Sequence, residues 1–515
     1  MSFVSQRDDL VNPPASAHPE VAYFEEEKKK RKAAKQGPAE TAEEEAKEKK
    51  PPSPSAELLF AEYVFGDNDL RIGGRQENGD IEQAMYKWNG EHWSRLVDAL
   101  ARKTALSWLA TRRKHQCSQQ TAKAAIATAM DFMVDVPEQM LSSLEQARDS
   151  ADAIIPVKGA YLRIEKDGTI RPVRPARNLG LTYTVPAAFD WDLCNNDGTY
   201  TPRPVDPKTY FGRYLALFLP DLAVRQLLQE ATAASVLPTN HECAWVLSGS
   251  GSNGKSTFLH ILRRIHPFNT SLRLKQADDR FGFQNIAGKT LVIATEVPDY
   301  IGKDAEQNLK SLISRDPIEV EKKRVDSISI VPRATLFLAI NEALKFTDFS
   351  YGNERKYKTI PFTVRMTADS KERIRDYHKL ITDNPVEMSA VLDWILEGAA
   401  RLQKQGAFTA LPESVKAYTQ DSRLMTDNVA AYLHEHEATH DSSVWTPKMA
   451  IYTSYKNYCL LRTLKPVSEL SFWPRVRETY LRQTIMLVDK QVPTKEGRVR
   501  AVQLRVAGIP VALDR

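Results

Sequence analysis

The stretch "WVLSGSGSNGKSTFLHILRRI", residues Trp245 to Ile265, decides the fold. An apolar run precedes the pattern G-x-x-x-x-G-K-[ST], and an amphipathic segment follows it. Glycines let such a loop bend so that several N–H groups point at phosphate oxygens, at the positive end of the next helix. The stretch therefore predicts a strand, a nucleoside triphosphate-binding loop and a helix. The candidate binding residues are Gly249, Ser250, Gly251, Ser252, Asn253, Gly254, Lys255, Ser256 and Thr257.

Two residues of this loop have predicted chemical roles. Lys255 places a positive charge on the β- and γ-phosphates, and the Ser256 hydroxyl ligates Mg²⁺. Mg²⁺ also needs a carboxylate, and the apolar run "LVIATE" ends at Glu296, 41 residues after the lysine. Because carboxyl ends of parallel strands meet the phosphates at one sheet edge, Glu296 is the preferred candidate. Asp299 and Asp304 are nearby alternatives in a loop that Pro298 interrupts.

A third apolar run, "TLFLAIN", ends at Asn341. Its amide is predicted at the same edge, where it would bond the γ-phosphate or the attacking water, although asparagine also simply ends strands. Fourteen residues later, Arg355 precedes the strand "TIPFTV". An arginine there would stabilise charge on the transferring phosphoryl group, in cis or from a neighbouring subunit, or would form a surface salt bridge.

The segment "DPIEVEKKRVDSISIVP" predicts a hairpin between these strands. Alternating stretches at 318–321 and 327–331 flank a turn that carries Lys322, Lys323 and Arg324. One interpretation is a hairpin end protected by charge. The other is a finger that contacts nucleic-acid phosphates.

The chain of 515 residues is too long for one core, and four regions are predicted. Residues 1–56 form a charged, disordered arm. Residues 57–240 form a mixed α+β accessory domain, with hairpins at Asn89-Gly90 and Asp167-Gly168 and a helix pair broken at Pro220. Residues 241–405 form the nucleotide-binding α/β core, and residues 406–515 a basic C-terminal domain.

Composition narrows the function classes. The four cysteines are widely spaced, which argues against structural zinc or a disulfide framework. A membrane span needs a run of about 20 apolar residues, and the sequence has none. A cytoplasmic protein without a membrane partner is therefore expected. Residues 441–515 hold thirteen Lys/Arg against six acids, a surplus larger than the whole chain's +5. This surplus fits a polyanionic partner, and it equally fits a basic surface that is merely solvated.

The order of these parts resembles superfamily 3 helicases. The loop "GSGSNGKST", a strand ending in Glu, a basic hairpin, a strand ending in "NE" and an Arg before "IPF" are most similar to the phage, plasmid and poxvirus primase–helicase branch. The resemblance covers about residues 85–510. It implies an AAA+-type P-loop ATPase core between an accessory domain and a C-terminal winged-helix-like DNA-binding domain.

The resemblance also implies site roles and partners. It predicts ATP and Mg²⁺ as ligands and a hexameric ring on single-stranded or forked DNA, with Arg355 acting in trans and Lys310 as a second interface cation. Lys322, Lys323 and Arg324 become the DNA-contact residues, and unwinding would run 3′ to 5′. A bacterial host cytoplasm and a separately encoded primase or polymerase fit this branch.

Two features depart from the family pattern. The branch often has two adjacent arginines before "IPF", whereas Lys356 follows Arg355 here. Many members carry a primase where this sequence has only the charged arm, so priming in cis is not expected. The leading hypothesis is an ATP-driven replicative DNA helicase of a phage, satellite or other mobile element. The alternatives are an ATP-switched loader that recruits another replication protein without processive unwinding, and an ATPase of viral packaging or RNA remodelling.

Overall fold

The structure is a computed structural model. It describes residues 54–66, 69–77, 80–131, 138–139, 152–276, 282–295, 301–322, 325–341, 352, 355–367, 369–370, 374–494 and 497–511. For residues 74–77, 80–83, 138–139, 321–322 and 325–328 only the backbone is described. The chain divides into units 1–55 and 56–515. Nearly all of the predicted arm lies outside the described residues, and the other predicted domain boundaries stay predictions.

The first folded part, here called the N-terminal module, spans residues 56–139. Its helices are α1 (Ala56–Gly66), α2 (Asp98–Arg112) and α3 (Gln119–Asp131). Its strands are β1 (Leu70–Glu77), β2 (Asp80–Trp88), β3 (Trp93–Arg95) and β4 (Glu138–Gln139), in the order β3-β2-β1-β4. The predicted Asn89-Gly90 turn joins β2 to β3, and Gly90 takes the positive φ of 98° that such a turn needs.

A second small sheet follows, with strands β5 (Ala153–Lys158), β6 (Ala160–Ile164), β7 (Ile170–Val173) and β8 (Val185–Ala188). Its order is β7-β6-β5-β8, and the β6–β7 hairpin turns at Asp167-Gly168 as predicted. Helices α4 (Tyr210–Phe218) and α5 (Leu222–Val236) come next and are separated at Pro220. The Asp221 carboxylate caps α5 by accepting from the Ala223 amide at 2.9 Å.

The central sheet has five parallel strands: β9 (Ala244–Ser248), β10 (Asn269–Ser271), β11 (Leu291–Ala294), β14 (Thr335–Ile340) and β15 (Tyr357–Pro361). Their order is β10-β11-β14-β9-β15. Helix α6 (Lys255–Ile265) follows β9, and α7 (Lys303–Ser314) follows β11. The predicted hairpin is present as antiparallel β12 (Ile318–Lys322) and β13 (Val325–Ile330) between α7 and β14.

Both faces of this sheet are buried, which explains why its strands are continuous apolar runs. Trp245 and Leu247 pack into one core, which also holds residues from α5 and α6, while Ala244 and Val246 pack into a second core with α7. The first core includes residues on both sides of position 240, among them Leu228 and Phe258. The accessory and nucleotide-binding regions are therefore joined by apolar packing.

The remaining helices are α8 (Tyr377–Thr382), α9 (Pro385–Gln405), α10 (Glu413–Thr426), α11 (Asn428–Glu435), α12 (Lys448–Leu461) and α13 (Glu469–Leu481). The last strands are β16 (Thr439–His440), β17 (Thr446–Pro447), β18 (Asp489–Thr494), β19 (Gly497–Val502) and β20 (Leu504–Arg505), which form the antiparallel sheets β16-β20 and β17-β19-β18. Helices α11 to α13 share a separate core around Tyr432, Tyr455 and Phe472. None of the helices in the described ranges is long and apolar enough to cross a membrane.

A buried ion pair joins α5 to α9. The Glu230 side chain is fully buried, and its carboxylate accepts from Arg401 Nε at 2.7 Å and from the Thr409 amide at 2.9 Å. Removing one partner of a buried pair leaves an uncompensated charge, which costs about 3–5 kcal/mol.

We predict that Arg401→Met lowers the thermal unfolding midpoint markedly, measured by differential scanning fluorimetry. Lys416→Met is the matched control, because Lys416 pairs with the exposed Glu413 at 2.6 Å and exposed pairs contribute at most about 1 kcal/mol. Equal midpoints for the two variants would contradict a stabilising role of the α5–α9 ion pair.

Candidate nucleotide-binding site

The strand order places a crevice at the carboxyl ends of β9 and β14. The chain leaves β9 through α6 to reach β10 at one edge of the sheet, whereas it leaves β14 toward β15 on the other side of β9. Neighbouring parallel strands with connections in opposite directions open a crevice at their carboxyl ends, where ligands bind in α/β sheets. Residues 249–254 and Asn341 lie at this position.

The loop from Gly249 to Gly254 follows β9 directly and leads into α6. Gly254 has a φ of 87°, and a Cβ there would lie 2.6 Å from Phe218 Cγ. A Cβ on Gly249 would lie 2.2 Å from the Phe362 carbonyl oxygen. These two glycines are therefore required both by their backbone angles and by the close approach of neighbouring groups.

Lys255 is the first residue of α6, and its side chain turns back over the loop. Its ammonium donates to Asn253 Oδ1 at 3.1 Å, to Asn341 Oδ1 at 3.3 Å and to the Gly249 carbonyl. The residue is 6 % exposed, and burial lowers the pKa of its amine. Within the described ranges no carboxylate forms an ion pair with this lysine, so its charge is held by neutral oxygens.

Asn253 connects the loop to the strand beyond it. It is buried, and its Nδ2 donates to the Phe362 carbonyl at 3.1 Å while its Oδ1 accepts from Lys255. The backbone after β15 follows the loop closely, because the Phe362 amide donates to Ser248 O at 2.7 Å and the Met366 amide to Ser252 O at 2.8 Å. The chain segment 362–366 therefore fixes the loop's shape.

Three aromatic side chains from distant elements support the loop, and sequence reasoning missed them. Tyr214 on α4 donates to the Gly254 carbonyl at 3.0 Å, and the Phe218 ring packs against the same glycine. Tyr418 on α10 forms a hydroxyl–hydroxyl hydrogen bond of 2.8 Å with Ser248. No local pattern marks these residues, since only the tertiary fold brings them to the loop.

The other predicted loop residues differ in exposure, and their phosphate contacts stay predictions. Ser250, Gly251 and Ser252 are exposed at its tip, and the Ser256 side chain is also exposed, while Thr257 is half-buried. Glu296, the predicted Mg²⁺ carboxylate, lies outside the described residues. Among the residues that are described, no group of three or more His, Cys, Asp or Glu could hold a metal ion.

Arg355 lies near the amino ends of the parallel strands, whereas the loop lies at their carboxyl ends. It is exposed and comes two residues before Tyr357, which pairs with Ala244 at the amino end of β9, whereas Pro361 pairs with Ser248 at the carboxyl end. At about 3.3 Å per residue, Arg355 is roughly 20 Å from the loop along the strand. Its side chain therefore does not approach this chain's own loop. Action on a neighbouring subunit's nucleotide and a surface salt bridge both stay predictions.

Lys310, the second predicted interface cation, lies on α7. Its ammonium is 3.3 Å from the carboxylate of Glu306, one helical turn earlier, and Glu306 is buried. Lys310 is therefore held in place within this chain and keeps a partly exposed side chain.

The β12–β13 hairpin has an apolar base and a basic tip. Ile318, Val320 and Ile330 are buried in the second core of the central sheet. The ladder contains an irregularity between Val320 and Lys322. The side chain of Lys322 and all of Lys323 and Arg324 lie outside the described residues, so their predicted DNA contacts stay predictions.

Comparisons with known proteins add little to this description. A family model described as a family of unknown function, DUF5906, matches residues 247–356, which include the loop, Asn341 and Arg355. No curated protein matches the chain. Two solved apo structures of the NrS-1 C-terminal region are similar at 13 % and 12 % identity, each with a TM-score of 0.37 and covering 69 % of this chain and 96 % of that one. Similarity at this level identifies no function.

The hydrogen bonds of Asn253 predict that removing its side chain lowers the stability of the fold. Asn253→Ala leaves the buried Phe362 carbonyl without this donor and removes one acceptor of Lys255, and an unsatisfied buried polar group costs about 1–3 kcal/mol. We expect a thermal unfolding midpoint lowered by a few degrees. Ser250→Ala, at an exposed position of the same loop, is the control and should leave the midpoint unchanged. A midpoint unchanged in both variants would contradict the structural role assigned to Asn253.

Proposed function

We propose that the chain is an ATP-dependent DNA helicase of the superfamily 3 type, which translocates on single-stranded DNA as a ring. The observation that carries this proposal is the meeting of Lys255, Asn253 and Asn341 at the crevice between β9 and β14. A buried lysine that no carboxylate of the described residues pairs with, at the start of a helix after a glycine-rich loop, is suited to bind phosphate.

The proposed chemistry divides among residues of this loop and the neighbouring strands. Loop amides and Lys255 bind the β- and γ-phosphates, which would replace the three oxygens that now accept from its ammonium. The Ser256 hydroxyl and the Glu296 carboxylate would hold Mg²⁺, which neutralises charge on the phosphate oxygens. The Asn341 amide, whose Oδ1 accepts from Lys255 at 3.3 Å, would orient the attacking water.

The hairpin supports DNA translocation as the use of this ATP. It is inserted between α7 and β14, and the buried residues at its base share a core with the strands that end at the nucleotide site. A displacement of β14 or α7 on hydrolysis would therefore move the hairpin as a unit. Lys322, Lys323 and Arg324 at the tip would carry DNA phosphates with it.

The positions of Arg355 and Lys310 support a ring. Arg355 is exposed near the amino ends of the strands, away from its own loop. In this proposal it acts on the nucleotide of a neighbouring protomer. Such an arginine in trans stabilises charge on the transferring phosphoryl group. A closed ring, with six protomers as in the family, gives every nucleotide one such arginine.

The C-terminal region fits an auxiliary DNA-binding role. Helices α11 to α13 are followed by the antiparallel β18–β19 ribbon, an arrangement compatible with a winged-helix-like domain. Residues 441–515 carry the basic surplus that a polyanion would attract. In this proposal the protein works on forked DNA in a bacterial host cytoplasm, beside a separately encoded primase or polymerase.

Two substitutions test the proposal. We expect Lys255→Ala to lower ATP hydrolysis about 100-fold or more, because it removes the cation placed on the transferring phosphate. Lys323→Ala is expected to retain ATP binding but to abolish strand displacement on a forked duplex, measured by release of a labelled strand. Lys166→Ala, at an exposed turn of the β6–β7 hairpin, is the control and should behave as wild type.

The outcomes separate a helicase from a loader. If strand displacement is unchanged in either Lys255→Ala or Lys323→Ala, the proposal that this hairpin drives translocation is wrong. DNA binding that requires ATP, without displacement even by the wild-type protein, would instead favour the ATP-switched loader.

A further inference from the structure

The N-terminal module carries a cluster of cations at the turn between α2 and α3. This basic turn consists of Arg112, Arg113, Lys114 and His115, together with Lys123 on the first turns of α3. Arg113 is partly exposed, and the other four residues are exposed.

Charge is segregated along these helices. Residues 98–131 contain six Lys/Arg and two acids, Asp98 and Asp131. At 1.5 Å per residue, Asp98 at the start of α2 is about 20 Å from Arg112, and Asp131 at the end of α3 is about 12 Å from Lys123. The positive field of the basic turn is therefore not cancelled by neighbouring carboxylates on its own helices.

The cations of the basic turn also lack ion-pair partners within the part of the chain that the structure describes. Arg112 lies over the Tyr63 ring at 5.7 Å, which orients it without neutralising its charge. Solvated helices elsewhere in this chain differ, since Lys310 pairs with Glu306 and Lys416 with Glu413. Unpaired cations collected at one exposed point suit a polyanionic partner.

The basic turn is carried by a packed base. Phe60 packs against Trp108 with ring centroids 5.5 Å apart, in a core that belongs to this module alone. The module is attached through its β2–β3 side, where the Trp93 indole donates to the Arg177 carbonyl at 2.9 Å and Tyr161 donates to Glu91 O. Helix α2 is about 20 Å long, so the basic turn is separated from β3 by that length of helix.

We propose that the basic turn binds the phosphate backbone of duplex DNA. Proteins that hold single strands combine cations with aromatic side chains that stack on bases. Residues 98–131 contain one such aromatic, Trp108, and it is buried. Contacts from the basic turn would be to phosphates alone, which suits a duplex whose bases are stacked. The choice of DNA rests on the proposed function, and the module would hold the duplex arm of a fork outside the ring.

The test compares two triple variants of the full chain. Arg113→Gln/Lys114→Gln/Lys123→Gln removes three cations and leaves Arg112 on Tyr63. Lys166→Gln/Lys208→Gln/Lys404→Gln removes the same charge from exposed positions elsewhere. Binding to a labelled blunt duplex of about 20 base pairs is measured by fluorescence anisotropy, without nucleotide, between about 50 and 200 mM salt.

We expect the basic-turn variant to bind duplex about tenfold or more weakly at low salt, with the slope of log K against log salt reduced by about 3, one for each phosphate contact. The control variant should match wild type, and both should hydrolyse ATP as wild type does. An unchanged slope, an equal loss in the control, or an equal loss on a single strand of the same length would overturn the proposal, as would absence of duplex binding by the wild-type protein.

The same assay separates this proposal from the proposed function. Lys255→Ala should keep full duplex binding through the basic turn even though it loses hydrolysis. If duplex binding depends on the basic turn but the wild-type protein displaces no strand, the proposed role of the basic turn is supported. Only the helicase proposal is then rejected.

Discussion

The burial of the Lys255 ammonium, held by neutral oxygens, is the constraint on which the rest of the site depends. A buried charge is costly unless it is hydrogen-bonded. Here Asn253, Asn341 and the Gly249 carbonyl supply the acceptors, and burial lowers the pKa of the amine. No carboxylate among the described residues pairs with this lysine, so within them neutral oxygens alone hold its charge at the crevice. That charge is the feature that a triphosphate would satisfy.

Hydrogen bonds connect this loop to segments that are distant in the sequence. Asn253 and the backbone of residues 362–366 connect the loop to β15, and Tyr214 and Tyr418 bring α4 and α10 to its two ends. Helix α10 continues to the C-terminal region, where Arg423 donates to Thr479 on α13 at 2.8 Å. A shift of the loop on nucleotide binding would therefore be felt at β15, at the accessory helices and at the C-terminal helices.

Much of the fold and part of the site could be predicted from the sequence. The strands around Val246, Val292 and Leu338 were identifiable because both faces of the sheet are buried and the runs are short and apolar. The contact of Asn341 with Lys255 follows the expectation that parallel strands end at a common edge.

The parts that could not be predicted depend on tertiary contacts. Tyr214, Phe218 and Tyr418 carry no local signal, because their role exists only once α4 and α10 pack beside β9. The separation of Arg355 from its own loop likewise required the strand register, which places it near the amino ends of the strands. The first core also contains residues from both sides of position 240, and no local pattern in the sequence indicates that they pack together.

The central claim is that each nucleotide binds between one protomer's Lys255 and the next protomer's Arg355. The most direct measurement is electron cryomicroscopy of the full chain with Mg²⁺, a non-hydrolysable ATP analogue and single-stranded DNA. The account predicts a closed ring with the analogue's phosphates on Lys255, a neighbour's Arg355 at the γ-phosphate, and the β12–β13 hairpins around the DNA. A monomer, or a ring in which Arg355 faces solvent and the loop is empty, would contradict it.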